Sequence, residues 1–313
     1  MVTGESLLES KQPEENKLDA FTTKVAQNTS DAGNMTAVDL HKQHFHQTMQ
    51  ALEKITRDFS PAPTIEVLAQ QVGLVYLPPP ERPEEQRKVA IFDMDETLIH
   101  CVDDIEKENP EVLLEIDFSP NQDGSNPEDI VCAGINIRPY IIECLEEAAK
   151  NFQVIVFTAS HQTYADAILD YIDPDHRLIS YRMYRQHCYL TPENYYIKDL
   201  RVIANRDLKD MVLVDNSVFS FAYQLENGVP IVSFYRQPPQ DEEMLHLIYY
   251  LSVLGGVNDV RTQNVQAFEL HKLAGLQPPQ FEEEAGQVEG DEEQDFQEIP
   301  EVTNESDYDS IRK

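Results

Sequence analysis

Residues 88–101 read KVAIFDMDETLIHC, an apolar run that delivers two aspartates, Asp93 and Asp95, with one residue between them. A short continuous apolar run of this kind is a strand buried on both faces, the kind found in parallel sheets covered by helices. The two carboxylates that leave it repel each other by about 4 kcal/mol at roughly 4 Å and an effective dielectric near 20. A positive partner is therefore required at the end of this strand.

From Arg87 onward strands and helices alternate. A helix PYIIECLEEAAK with Pro139 at its first position is followed by a strand FQVIVFT, a helix HQTYADAILDYI, and strands RLISYRMY, DMVLVD and VPIVSFY. The run DEEMLHLIYYLSVLGG closes the core as a helix, with Gly255 placed to stop it. Between the first strand and Arg138, VLLEIDF and DIVCAGINI read as two strands joined by a turn-rich loop. The alternation predicts an α/β fold: a three-layer, doubly wound, mainly parallel sheet with a β-hairpin insertion after the first strand.

Outside this unit, residues 1–37 are polar without a sustained period and read as disordered. Val38 to Phe59 carry an amphipathic stripe; His41, His44 and His46 lack the spacing of a helical metal pair and read as a solvated face. Residues 38–80 are taken as a helical extension and linker, 81–280 as the catalytic domain, and 281–313 as an acidic disordered tail. Every candidate residue named below falls within 78–279, so a chain trimmed to that span is expected to fold.

The formal net charge is −33, and the tail contributes 13 Asp or Glu against Arg312 and Lys313. Residues 81–280 still carry a net −18, so the folded unit is itself acidic. No Lys/Arg-rich run exists, which argues against nucleic-acid binding and offers no nuclear import signal. The opening MVTGESLLESKQ is polar and acidic, unlike a signal peptide, and MLHLIYYLSVLGG is too short to span a bilayer, so a soluble intracellular protein is expected. Cys101, Cys132, Cys144 and Cys188 form no C-x-x-C pair and read as reduced core thiols.

In open α/β sheets ligands lie beyond the carboxyl ends of the strands. The polar residues leaving the apolar runs are Asp93 and Asp95, Thr158, and Asp215 with Asn216, so three strand ends can share one crevice. Three carboxylates and an amide oxygen are hard donors of the kind Mg2+ takes while keeping waters and a substrate phosphate. The metal is the expected positive charge, with Asp93, Asp95, Asp215 and Asn216 as its donors. Singly each piece has a plain structural reading: FTAS a strand end with a helix cap at Ser160, Lys198 a surface lysine.

Together, FDMDETLIHC, VFTAS, YIKDL and LVDNS resemble the four motifs of the haloacid-dehalogenase superfamily, in the branch of the RNA polymerase II C-terminal-domain small phosphatases. FELHKL and FAYQLENGVPI are similar to the small-phosphatase-like protein 2 group within it, and the resemblance covers roughly residues 88–275. It implies a HAD-like Rossmannoid sheet and a Mg2+-dependent protein serine/threonine phosphatase acting on a phosphoprotein or phosphopeptide, the polymerase C-terminal domain among them, in the nucleus or cytoplasm. Asp93 then matches the nucleophile that forms an aspartyl-phosphate, and Asp95 the general acid and base; the spacing alone does not say which aspartate takes which role. Thr158 would donate to a phosphoryl oxygen, Lys198 would offset negative charge, and Arg185 matches an arginine near the phosphate. Thr97 is expected to hold the turn of the motif. A small-molecule phosphatase on the same sheet and a phosphopeptide-binding pseudophosphatase remain as alternatives.

Overall fold

In chain order the elements are α1 (Ala37–Asp58), α2 (Ile65–Val72), β1 (Lys88–Phe92), β2 (Ile99–Cys101), α3 (Ile105–Glu108), β3 (Val112–Asp117), β4 (Ile130–Ile137), α4 (Ile141–Asn151) and β5 (Phe152–Phe157). They continue with α5 (Gln162–Ile172), β6 (Tyr181–Met183), β7 (Tyr189–Leu190), β8 (Tyr196–Ile197), β9 (Met211–Asp215), β10 (Gly228–Pro230), α6 (Glu243–Gly256), α7 (Val260–Phe268) and α8 (Leu270–Leu273). The computed structural model describes residues 36–119, 127–236 and 241–281. Of the disorder expected over 1–37 and 281–313, residues 1–35 and 282–313 lie outside the described residues, as does most of the turn at 119–129, whereas Thr36 and Ala37 cap and begin α1. The chain divides after Pro278 into a body and a segment of which 279–281 are described.

Five strands form a sheet in the order β10-β9-β1-β5-β6, every pair parallel. Side chains on a strand alternate between faces, and here both faces are covered. Ala90 and Phe92 of β1, Val154 and Val156 of β5, and Val212 and Val214 of β9 enter one core with α4, α5 and α6. Val89 and Ile91, Ile155 and Phe157, and Met211 and Leu213 enter a second core with α1, α2 and α8. The three-layer reading therefore holds, and it explains why these strands are apolar on both faces through their central residues. Antiparallel β2-β4-β3 form a separate three-stranded sheet inserted after β1. Its third strand, Ile99–Cys101, was not anticipated.

Several boundaries differ from expectation for local reasons. Pro139 is not the first helical residue, because Tyr140 adopts a left-handed backbone with φ 64° as the cap of α4. Gly255 does not stop α6, which runs to Gly256, and Lys88 donates to the Gly255 carbonyl at 2.9 Å. The strand expected over 177–184 shrinks to Tyr181–Met183, since the Asp173 carboxylate takes the N–H groups of Arg177, Leu178 and Ile179 at 2.9 Å and holds them as a loop. The strand expected over 229–235 ends at Pro230; beyond it Phe234 N–H reaches the Glu96 carbonyl in the loop after β1.

Helix α1 begins with a capping box in which Thr36 and Asp39 satisfy each other's backbone N–H. Its Thr48, Ala51 and Leu52 are buried, and Phe59 just beyond it meets the rings of Tyr195 and Phe219 at 5.1 and 5.8 Å. The histidines are not simply a solvated face: His41 Nε2 lies 3.0 Å from Glu243, and burial pushes His44 down to about 4. Arg138 is fully buried, paired with Asp241 through two bonds of 3.0 Å and donating to the carbonyls of Thr97 and Val232. It ties the end of the insertion to the loops after β1 and β10. No helix among the described residues is long and apolar enough to cross a membrane.

Candidate active site

The register of β1, β5 and β9 sets the site. Phe92 pairs with Val156 on one side and Val214 on the other, so Asp93, Phe157 and Asp215 stand level at the carboxyl end of the sheet. Asp93 N–H donates to the Val214 carbonyl at 2.9 Å, which fixes the start of the loop. Met94 is buried in the core between the two aspartates, and Glu96 turns the chain with φ 56°. With Met94 pinned, the carboxylates of Asp93 and Asp95 serve different partners.

Asp93 Oδ1 is ion-paired to Lys198 Nζ, which also holds Asp215 Oδ2 at 2.6 Å. Asp93 Oδ2 accepts from Thr97 Oγ1 at 3.0 Å, and the same hydroxyl lies 3.5 Å from Asn216 Oδ1. Ser233 receives the Asn216 amide N–H at 2.9 Å and so orients that oxygen, while Asp215 Oδ1 accepts from Ser217 N–H at 2.8 Å. Lys198 is 1% exposed, held by its own N–H to the Ser220 carbonyl, and is no surface lysine. It is part of the positive partner the two aspartates require. Burial raises the Asp93 carboxyl, Asp215 adds to the rise, and Lys198 pulls it back. Burial alone would lower Lys198, but Asp215 and Asp93 outweigh it and keep the ammonium charged.

Asp95 faces the loop after β5. Its Oδ2 accepts from Ser160 Oγ at 2.7 Å and from Thr158 Oγ1 at 3.3 Å, and its Oδ1 accepts from Tyr164 Oη at 3.0 Å. Burial raises this carboxyl above the usual range, with Ser160 and Tyr164 lowering it part of the way. Ser160 is therefore not the cap of α5; His161 is, through Thr163 N–H. Thr97 does more than hold a turn, since its hydroxyl touches Asp93. Arg185 donates to the Ala159 carbonyl at 2.6 Å and lies over the Tyr196 ring at 5.4 Å, beside the Thr158–Ser160 loop. In the sequence Ser160 reads as a helix cap and Tyr164 carries no role of its own; their spacing of four, one helical turn, is the signal that pairs them.

Among the four expected metal donors, Asp93 and Asn216 each place an oxygen on Thr97 Oγ1, whereas the carboxylates of Asp95 and Asp215 are taken by the partners above. Asp93, Asp95 and Asp215 against Lys198 leave excess negative charge. A hard cation that keeps several waters needs only one or two protein carboxylates, so these residues fit Mg2+. They do not make a closed metal cage: among the described residues no group of three or more His, Cys, Asp or Glu is placed to hold a metal.

With this geometry in place, the profile of the NLI interacting factor-like phosphatases matches residues 88–261. The chain belongs to this family. The matched span begins at β1 and ends in α7, and so contains every candidate residue of this phosphatase-family site. CTD small phosphatase-like protein 2 of Dictyostelium discoideum is 37% identical over 219 residues, 69% of this chain and 36% of that protein. CTD nuclear envelope phosphatase 1 of Xenopus tropicalis is 32% identical over 197 residues, 60% of this chain and 75% of that protein. The solved structure of Fcp1, an essential RNA polymerase II CTD phosphatase, aligns with a TM-score of 0.40 and 18% identity over 60% of this chain and 50% of that one. The chain thus spans about a third of the Dictyostelium relative's length.

Proposed function

We propose that this chain is a Mg2+-dependent protein serine/threonine phosphatase working through an aspartyl-phosphate, with residues 81–280 as its catalytic unit. One observation carries the proposal: two aspartates one residue apart are held in different surroundings, Asp93 against Lys198 and Thr97, and Asp95 against Ser160 and Tyr164. Two carboxyl groups with separate environments can take separate roles.

Asp93, in the carboxylate form that Lys198 favours, attacks phosphorus; the bond to the leaving oxygen breaks, that oxygen keeps the electron pair, and Asp95 gives it a proton. Asp95, now a carboxylate, takes a proton from water, whose oxygen attacks the same phosphorus. The bond to Asp93 breaks, inorganic phosphate leaves, and both aspartates return to their starting states. Lys198 offsets the negative charge that the nucleophile and phosphate bring together, and Thr158 and Arg185 border the position the phosphoryl oxygens would take. Mg2+ bound by Asp93 and Asn216 would neutralise further phosphoryl charge.

For substrate we favour phosphoserine or phosphothreonine in an extended peptide, the polymerase C-terminal repeats being one example by resemblance. Among the described residues the insertion beside the site is the three-stranded β2-β4-β3 sheet and not a large lid domain, which suits a protruding side chain. Thorough chelation followed by Mg2+ return should abolish and restore turnover on a phosphopeptide panel, with common phosphometabolites slower. Acid-quenched labelling should find a phosphoenzyme in the wild type and none in Asp93→Asn. Full turnover after chelation, or a labelled and active Asp93→Asn, would defeat the proposal.

A further inference from the structure

Asp95 is gripped by three hydroxyls from outside its own loop, of which those of Ser160 and Tyr164 are the closer. Ser160 ends the turn after β5 and Tyr164 lies in the first turn of α5, four residues on, so both present to the same side. Together they engage both oxygens of the Asp95 carboxylate, at 2.7 and 3.0 Å. The Tyr164 ring packs on the core that holds Met94 and Phe92, and Cys101 lies against its hydroxyl. A ring fixed in this way keeps its hydroxyl within reach of the Asp95 carboxylate.

We infer that Tyr164, assisted by Ser160, is the positioning residue that aims Asp95 at the leaving oxygen, an inference that rests on the phosphatase reading above. When Asp95 gives its proton to that oxygen, the carboxyl becomes a carboxylate. The hydroxyl donors then make charge-assisted bonds, which are roughly twice as strong as neutral ones. The contacts strengthen as the proton moves, and interactions that strengthen toward the transition state raise the rate rather than the affinity. Tyr164 gives up no proton in this scheme; it stays a phenol throughout and holds the orientation in which Asp95 next accepts a proton from water. Thr158, at 3.3 Å from the same carboxylate, is the longest of the three contacts and adds least to the grip.

The test is a leaving-group series on the full chain: 2,4-dinitrophenyl phosphate, 4-nitrophenyl phosphate, phenyl phosphate and a phosphoserine peptide. Assistance from a general acid matters most where the leaving oxygen is most basic. Tyr164→Phe should therefore lower kcat/KM, which is set by phosphoenzyme formation and not by the hydrolysis step common to all four esters, about tenfold or more on phenyl phosphate and the peptide, and by no more than about twofold on the dinitrophenyl ester. Ser160→Ala should show the same slope to a smaller extent, and Ser160→Thr should recover most of it. If Tyr164→Phe does not fold, the contrast between Ser160→Ala and Ser160→Thr decides. Equal slowing across the series, or none, would overturn the inference while an inactive Asp93→Asn left the phosphatase reading standing. A wild-type chain that hydrolyses none of these esters would overturn both.

Discussion

Lys198 sits between two carboxylates that β1 and β9 bring level, and almost none of it reaches solvent. A buried charge without a partner is strongly unfavourable, whereas each of these three groups is paired. Removing the ammonium would leave Asp93 and Asp215 facing each other with no cation between them. We expect Lys198→Met to lose about 3–5 kcal/mol of stability as well as activity, read from the urea midpoint at constant m-value. Lys198→Arg should not restore the site, because a planar fork does not replace a compact point charge. A Lys198→Met chain as stable as the wild type would remove the charge argument. The motif YIKDL marks this lysine, whereas its burial follows from its N–H bond to the Ser220 carbonyl and its ion pairs with Asp93 and Asp215.

At the scale of elements, α1 is the case where pattern was legible and consequence was not. Its apolar stripe and its limits, Ala37 to Asp58, follow the 3.6-residue period closely. Its seat lies against the Val218–Phe221 turn, which directly follows Asp215 and Asn216. Leu52 is fully buried there, so Leu52→Ala should lower stability by about 2–5 kcal/mol, measurable by thermal or urea unfolding. A chain trimmed to 78–279 would lose Leu52, Ala51, Leu68 and the Phe59 contacts at once, and its unfolding midpoint against that of the full chain tests whether that span folds alone. An unchanged unfolding midpoint in Leu52→Ala would show that α1 is a passenger.

On the scale of the whole molecule, the net charge of −33 sets the field that any substrate meets. Negative potential of this size slows the approach of a phosphorylated peptide unless basic flanks offset it, and the effect weakens with salt. Peptides flanked by Lys and Arg should show higher kcat/KM than the same phosphosite flanked by Glu, with the gap closing between about 0.05 and 1 M salt. Equal values at low salt would show that the field does not reach the site. The sequence by itself determined the layered parallel sheet and the residues that leave its strands at one end, because burial on two faces and the polar residue after an apolar run are local patterns. Tertiary structure alone decided which oxygen of Asp93 meets Lys198 and which meets Thr97, that Asp95 turns to Ser160 and Tyr164, and that Arg138 closes on Asp241 across 103 residues. Apart from the local Thr97–Asp93 bond, these contacts join segments that become neighbours only once the chain is folded around β1 between β5 and β9. Periodicity records which face is buried; the register between strands far apart in the chain sets which hydrogen bonds form.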